Sequence, residues 1–245
     1  MNHSIGNRVT HAAWISLLVF TVACTSSGNK NVKQVEDKLN DYPQGTYGFD
    51  VAFFEAQDIE TIQLTDDRGQ ATILLIPDYQ GRVMTSSSNG SEGKSYGWIN
   101  YDLIVSGEVS PQFNPVGGEE RFWLGPEGGP FSIYFAQGDE QVFENWQVPS
   151  VLDTERFELS EQNEESVVFT KDTRLTNASG TEFQLGITRK VSLLNRADLS
   201  SLFGLDLPEG YFDVVAYQSE NTIRNKGGEA WTKEDGLLSI WLLSM

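Results

Sequence analysis

Three long alternating segments in the second half of the chain place the strongest constraint on its fold. Apolar and polar residues alternate over residues 167–175, 182–194 and 211–223, with turn-forming sequences such as Thr-Asn-Ala-Ser-Gly between them. Because alternate residues of a strand point to opposite faces, this pattern predicts long antiparallel strands. Only residues 197–203, after a candidate N-cap at Asn195, interrupt the strands with a short helix. The predicted class is all-β with little helix.

The first half of the chain carries shorter signals of the same class. A helix is predicted from Asp50, as its N-cap, through Gln57, and a hairpin is predicted around the sequence Asp-Asp-Arg-Gly at 66–69. Further strands are predicted at 81–86 and 131–135. The apolar run at 236–245 predicts an interior strand. Either it ends the domain, or the polypeptide is shorter than the complete domain.

Residues 1–23 have the features of a secretory signal peptide. Arg8 precedes an apolar run at 12–23 that is too short to span a bilayer. The single cysteine, Cys24, follows this run and resembles the acylated cysteine of bacterial lipoproteins, although Thr21 stands where that motif usually has Leu. We expect a lipid anchor at Cys24, a polar tether over 24–46, one domain over 47–245, and a location in the bacterial cell envelope. The alternative is an ordinary signal peptide that ends near a cysteine.

The charge and the histidine content exclude several classes of function. The chain has 35 acidic and 17 basic residues and a net charge of −18, so no binding to nucleic acid is expected. Both histidines, His3 and His11, lie in the predicted signal peptide. The mature chain therefore has no imidazole for a catalytic triad or a typical catalytic zinc site. No cofactor or metal site is predicted, and any acid–base chemistry must use carboxylate, lysine or tyrosine groups.

The most distinctive segment for function is NPVGGEERFWLGPEGG at residues 114–129. Its five glycines and two prolines are unsuited to a continuous helix or an ordinary strand. Between them stand charged and aromatic side chains that suit the recognition of a polyhydroxylated ligand. The segment is therefore interpreted as a binding-site loop.

Alternation within this segment assigns its side chains to two faces. If residues 119–124 are extended, one face carries Glu119, Arg121 and Trp123, and the other carries Glu120, Phe122 and Leu124. A guanidinium beside an indole offers an apolar platform and planar donors for a sugar ring. The alternative is that Trp123 is buried and that Arg121 pairs with Glu119. Both interpretations fit the pattern.

Other residues near this segment are weaker candidates. Trp98 and Asn100 share a face at a spacing of two, and Trp98 fits either a core position or a second platform. Glu119 with Glu120, or Glu119 with Glu127, is a candidate acid–base pair, although adjacent strand residues point apart.

Four segments resemble a family of uncharacterised bacterial lipoproteins, frequent in Bacteroidetes, that is related to the aldose 1-epimerases. These segments are YQGRVMTSSS at 79–88, YGWIN at 96–100, NPVGGEERFWLGPEGGPFSIYF at 114–135 and YQSENTIRNKGGEAWTKEDGLLSIWLLSM at 217–245. The resemblance implies a galactose mutarotase-like β-supersandwich of antiparallel strands, in which one concave face receives a sugar. It also favours a domain that is incomplete at its C-terminus.

The resemblance also implies where a sugar would bind. An Arg on an early strand and a Gly-Gly-x-x-Arg-x-Trp-x-x-Pro-Glu segment border the sugar cleft of that superfamily, and here they correspond to Arg82 and residues 117–127. The expected ligand-binding residues are Arg82, Trp98, Asn100, Glu119, Arg121, Trp123 and Glu127. Arg82, Arg121 and Trp123 are expected to converge on one concave, partly open pocket.

Two functions follow as hypotheses. The first is a non-catalytic envelope protein that binds a mono- or oligosaccharide. The second is a sugar-modifying enzyme, an epimerase or a lyase, that works through Glu, Lys or Tyr. Mutarotases use a histidine acid and a glutamate base, and the mature chain has no histidine. This departure favours binding over ordinary mutarotation.

Overall fold

A computed structural model of the protein describes residues 41–208 and 210–244. These residues form two antiparallel sheets with few helices, which confirms the predicted all-β class. The predicted signal peptide, Cys24 and most of the predicted tether lie outside the described residues.

The larger sheet has five strands in the order β1-β2-β3-β4-β9. They are β1 (Ile62–Thr65), β2 (Thr72–Ile76), β3 (Arg82–Ser87), β4 (Glu120–Gly125) and β9 (Ser239–Ser244). The predicted hairpin is confirmed, because β1 and β2 pair on either side of a turn in which the Asp66 carboxylate accepts backbone N–H groups. One pair, Val83 with Glu120, links β4 to β3, whereas β9 pairs with every residue of β4. The strand predicted within residues 236–245 forms as β9, but among the described residues it lies at the edge of the sheet and not in its interior.

The smaller sheet has the order β5-β6-β7-β8. Its strands are β5 (Glu158–Gln162), β6 (Ser166–Thr176), β7 (Glu182–Leu193) and β8 (Tyr217–Asn225). β6 and β7 confirm the two alternating runs at 167–175 and 182–194. The third run was predicted to begin at residue 211, but β8 begins at Tyr217, and residues 212–216 form an irregular segment beside it.

The helices are short. They are α1 (Tyr47–Ala56), α2 (Tyr101–Ser106), α3 (Ser150–Asp153) and α4 (Arg196–Phe203), with 3-10 turns at Pro77–Tyr79 and Phe143–Asn145. Thr46 caps α1, so the prediction that Asp50 is the N-cap is wrong. Asp50 lies in the first turn and is buried. Asn195 caps α4 as predicted, since its side chain accepts the N–H of Asp198 at 2.9 Å.

Apolar side chains form two clusters on the two faces of the larger sheet. The main core contains residues of both sheets, among them Ile73, Val83, Phe122, Phe169 and Ile187. The second cluster packs α1 against the other face through Phe53, Phe54, Leu74, Ile76 and Met84. Because both faces are covered, every residue of β2, β3 and β4 is buried.

Residues 131–135 are not a strand, contrary to the prediction. Ile133 and Tyr134 are nevertheless buried. The Tyr134 hydroxyl donates to the Leu124 carbonyl at 2.7 Å, and the Tyr134 carbonyl accepts the N–H of Gln147 at 2.9 Å. The apolar content that suggested a strand therefore reflects an irregular segment that is fixed in the core by loop contacts.

Candidate functional site

β4 distributes the central segment over both faces of the larger sheet. Val83 and Glu120 are directly opposite each other, so they share a face. Phe122 lies on that face in the main core, as predicted. Arg121 therefore lies on the other face, together with Arg82 of β3. The two guanidinium groups share a side of the sheet, as expected for a common site.

Trp123 does not form an exposed platform. Its side chain is only 4% exposed, so the expectation of an open face is wrong. The Tyr134 ring stacks on it at 5.6 Å, and the rings of Phe113 and Trp241 approach it edge-on at 6.2 and 6.1 Å. Its indole N–H donates to Glu127 Oε1 at 2.6 Å. The indole N–H therefore has an acceptor, and neither face of the ring is open to a sugar.

Arg121 is also buried, and its partner is not Glu119. Its Nη2 donates to Asp153 Oδ1 at 2.8 Å and to the Leu152 carbonyl at 2.7 Å, both in α3. The guanidinium carbon lies 4.4 Å from the centre of the Trp123 ring. Burial lowers the pKa of Arg121, and the charge of Asp153 opposes that shift. Arg121 thus attaches α3 to the sheet. The guanidinium lies beside the indole as expected, and the alternative was right that Trp123 is buried but wrong that Arg121 pairs with Glu119.

Arg82 is held in the same region by neutral oxygens. Nη1 donates to the Gly117 carbonyl at 2.6 Å and Nη2 donates to Gln80 Oε1 at 2.9 Å. Burial is the main cause that lowers the pKa of Arg82, and the positive charge of Arg121 lowers it further. Gly118 has a φ of +115°, and a Cβ there would lie 2.5 Å from the Arg82 Cδ. The double glycine of the motif therefore makes room for a buried arginine. The predicted open pocket between Arg82, Arg121 and Trp123 is absent from the described residues, because all three side chains are buried.

A third buried arginine joins the two sheets. Arg189 of β7 donates through Nη1 to Glu120 Oε1 at 2.9 Å, and its Nη2 also bonds to the Glu120 carboxylate. Nη1 also donates to Asn221 at 2.9 Å, and Nε donates to the Gly81 carbonyl at 3.1 Å. All of its nitrogens are thus engaged, and Glu120 is unsuited to an acid–base pair with Glu119.

Trp98 and Asn100 have separate roles. Trp98 is 53% exposed, which contradicts the core interpretation and leaves its ring accessible to a ligand. Asn100 is the N-cap of α2, since its side chain accepts the N–H of Leu103 at 3.2 Å and donates to the Pro115 carbonyl at 3.1 Å. Its amide is therefore engaged in the local fold.

Glu119 is the predicted site residue that faces an open cleft. The cleft has a volume of about 450 Å³ and is lined by Ser86, Ser88, Tyr96, Glu119, Asp213, Val214, Val215, Ala216 and Tyr217. The Ser86 hydroxyl donates to Glu119 Oε1 at 2.8 Å, and the Tyr217 side chain lies close to this carboxylate. Ser88 and Tyr96 share a hydrogen bond of 2.8 Å between their hydroxyls. We call this feature the Glu119 cleft.

Burial governs the ionisation of the two central groups of the cleft. Partial burial raises the pKa of Glu119, and hydrogen bonds from Ser86 and Tyr217 offset part of that rise. The pKa of Tyr217 is also raised, first by burial and then by the charges of Glu119 and Glu120. Tyr217 therefore stays protonated and acts as a hydrogen-bond donor towards Glu119.

The profile of a family of unknown function, DUF6786, matches residues 45–245. The chain belongs to the DUF6786 family. No curated protein and no solved structure matches the chain significantly. The family description gives no activity, and the chemistry available to this DUF6786 chain is that of its own side chains.

Several residues of the Glu119 cleft were not chosen as site residues from the sequence. Ser86, Tyr96 and Tyr217 lie within the segments that carry the resemblance, but serine and tyrosine in a strand usually have no special chemistry. Asp213 belongs to the irregular segment that was predicted to be a strand. The packing of the smaller sheet against the larger one brings these parts of the DUF6786 domain to one cleft.

The described part of the chain has neither a membrane-spanning helix nor a cluster of metal-binding side chains. Within residues 41–208 and 210–244, no helix has both the length and the apolar character needed to cross a bilayer. The same residues contain no group of three or more His, Cys, Asp or Glu side chains placed to hold a metal ion.

Proposed function

We propose that this protein is a lipid-anchored protein of the bacterial cell envelope that binds a carbohydrate in the Glu119 cleft. The observation that carries the proposal is the composition of the cleft wall. It combines hydroxyl groups, carboxylates and an exposed aromatic ring in a space of about 450 Å³. Small-molecule sites commonly have volumes of about 300–1,000 Å³ and a few convergent polar groups.

The wall of the cleft suits a sugar for a simple chemical reason. A pyranose presents hydroxyl groups at its rim and C–H bonds on its faces. The hydroxyls of Ser86 and Ser88 and the carboxylate of Glu119 can exchange hydrogen bonds with the rim. Tyr96, which is 49% exposed, offers an aromatic face for the C–H bonds. Trp98 is exposed two residues away and extends the aromatic surface of this segment.

The sequence supports the location and the ligand class independently. The apolar run before Cys24 supports a lipid anchor, and the resemblance to lipoproteins related to aldose 1-epimerases supports a sugar ligand. The acidic net charge opposes a nucleic-acid partner. Detergent partitioning of the wild type and Cys24→Ala tests the anchor, and equal partitioning would refute it.

Binding is tested with a glycan array, followed by titration of any sugar that the array retains. Tyr96→Ala should weaken binding by about 1 kcal/mol, by analogy with other aromatic contacts, which is roughly fivefold in Kd. Phe143→Ala is the matched control, since Phe143 is 71% exposed and does not line the cleft. If no glycan binds, or if both variants bind as the wild type does, the proposed site is wrong.

One contact favours a second candidate, a sugar-modifying enzyme of the epimerase or lyase type. Glu119 and Tyr217 form a carboxylate–phenol pair that opens on the cleft, and such a pair can serve as base and acid. Polarimetry with freshly dissolved α-glucose or α-galactose tests it. Acceleration that is lost in both Glu119→Gln and Tyr217→Phe would support an enzyme. Binding without acceleration of either sugar would count against epimerase action at the anomeric carbon.

A further inference from the structure

The Glu119 carboxylate has no cationic partner within residues 41–208 and 210–244. The Ser86 hydroxyl donates to it at 2.8 Å and the Tyr217 hydroxyl lies close to it, and both groups are neutral. Among the described residues, no lysine or arginine forms an ion pair with it. A half-buried carboxylate with only neutral donors is stabilised when a cation binds beside it.

Arg189, which pairs with the adjacent Glu120, cannot supply that charge. Arg189 is fully buried, and each of its nitrogens already bonds to Glu120, Asn221 or the Gly81 carbonyl. Its positive charge is therefore balanced by Glu120, the residue next to Glu119. Glu119, in contrast, lines the cleft, and Arg189 does not balance its negative charge.

The other residues of the cleft wall have the same bias. Glu119 and the exposed Asp213 are its ionisable acids, and its lining residues include no lysine or arginine. The cleft should therefore attract a cation and repel an anion that comes close enough for salt not to screen the charges. A ligand with a negatively charged carboxylate or phosphate is disfavoured.

From these contacts we infer that the Glu119 cleft prefers a sugar that carries a free amino group, with the ammonium bound by the Glu119 carboxylate. This inference rests on the proposed function, because it assumes that the cleft binds a sugar. It adds the charge class of the ligand. Amino sugars should bind most tightly, neutral sugars less tightly, and uronic acids most weakly.

The test uses four probes and the full-length protein. Calorimetry or ligand-observed NMR at neutral pH measures the affinity for D-glucosamine, D-glucose, N-acetyl-D-glucosamine and D-glucuronate. We expect glucosamine to bind at least tenfold more tightly than glucose. Its acetylated form, which has lost the charge, should behave as glucose does, and glucuronate should bind more weakly than glucose.

Two variants identify the residue. E119Q should bind glucosamine and glucose with equal affinity, because the amide keeps the shape but not the charge. E161Q removes one exposed carboxylate on β5, at the far edge of the smaller sheet from β8, and should keep the tenfold preference. The comparison of acetylated and free amino sugars needs only the wild type, so it holds even if E119Q does not fold.

The possible results separate the two proposals. Equal binding of glucosamine and glucose by the wild type would overturn the charge preference but would keep a sugar-binding cleft. A preference that survives in a folded E119Q would overturn the role of Glu119. If none of the four probes binds and the glycan array is also empty, the proposed function itself fails, and this inference fails with it.

Discussion

The buried ion pair between Glu120 and Arg189 should be the most sensitive polar contact between the two sheets. The side chains are 6% and 0% exposed, respectively. Glu120 also accepts the Ser219 hydroxyl at 3.1 Å. Glu120→Leu would leave the Arg189 charge in the core with only neutral acceptors. A neutral acceptor does not compensate a buried cation, so the folded state should lose stability.

The expected size of this loss follows from known behaviour of buried pairs. Removal of one partner of a buried ion pair costs about 3–5 kcal/mol. The total stability of a domain is about 5–15 kcal/mol, so this loss is a large share of it. Since 1 kcal/mol shifts the Tm of a protein of this size by about 2–4 °C, the Tm should fall by roughly 6–20 °C.

Urea denaturation followed by tryptophan fluorescence, together with a thermal melt, measures the effect. Glu220→Leu is the matched control. Glu220 forms an exposed ion pair at 3.6 Å with Lys190, the residue after Arg189. Loss of this pair should cost less than about 1 kcal/mol. The double variant Glu120→Leu with Arg189→Met should recover most of the lost stability. If Glu120→Leu costs no more than Glu220→Leu, the pair is not the contact described here.

Two other predictions concern single residues of the larger sheet. Trp123→Ala should lower the free energy of unfolding by about 3–5 kcal/mol, because it leaves a cavity among Phe113, Tyr134 and Trp241; a chemical melt that matches the wild type would show that the ring is exposed. Asp50 has a raised pKa in the folded state, chiefly through burial and in spite of hydrogen bonds from hydroxyl groups, so the folded state holds its proton more tightly than the unfolded state. Wild-type stability should therefore fall as the pH rises from about 4 through that raised pKa, and Asp50→Asn should lack this part of the decrease. Parallel pH profiles of the two proteins would contradict the assignment.

The fold could be predicted from the sequence where the signal is local. The alternation that defines β6 and β7, and the core position of Phe122, depend on neighbours within one strand. The same holds for the cap of α4, where Asn195 and Asp198 satisfy each other's backbone N–H groups. The extent of β8 was overestimated because residues 211–216 continue the apolar pattern without pairing to a strand.

The site could be predicted only in part, because its environment comes from distant segments. An Arg next to a Trp suggested an exposed sugar platform, but Asp153 lies 32 residues beyond Arg121 and the rings that cover Trp123 come from loops and from β9. Glu119 lines an open cleft, but it was selected for its place in a motif rather than for its contacts. Nothing within residues 114–129 indicates that Tyr217 would reach it.

The pairing of β4 has a consequence for the order of folding. β4 meets β3 at one position and β9 along its whole length, yet β9 lies half the chain away in sequence. The edge of β4 and one side of the Trp123 ring therefore stay uncovered until β9 has been synthesised and has docked. Contacts between such distant segments form slowly, and an unpaired apolar strand is a target for aggregation during that interval. During that interval the uncovered edge of β4 needs protection from other chains, for example by a chaperone that binds it until β9 is in place.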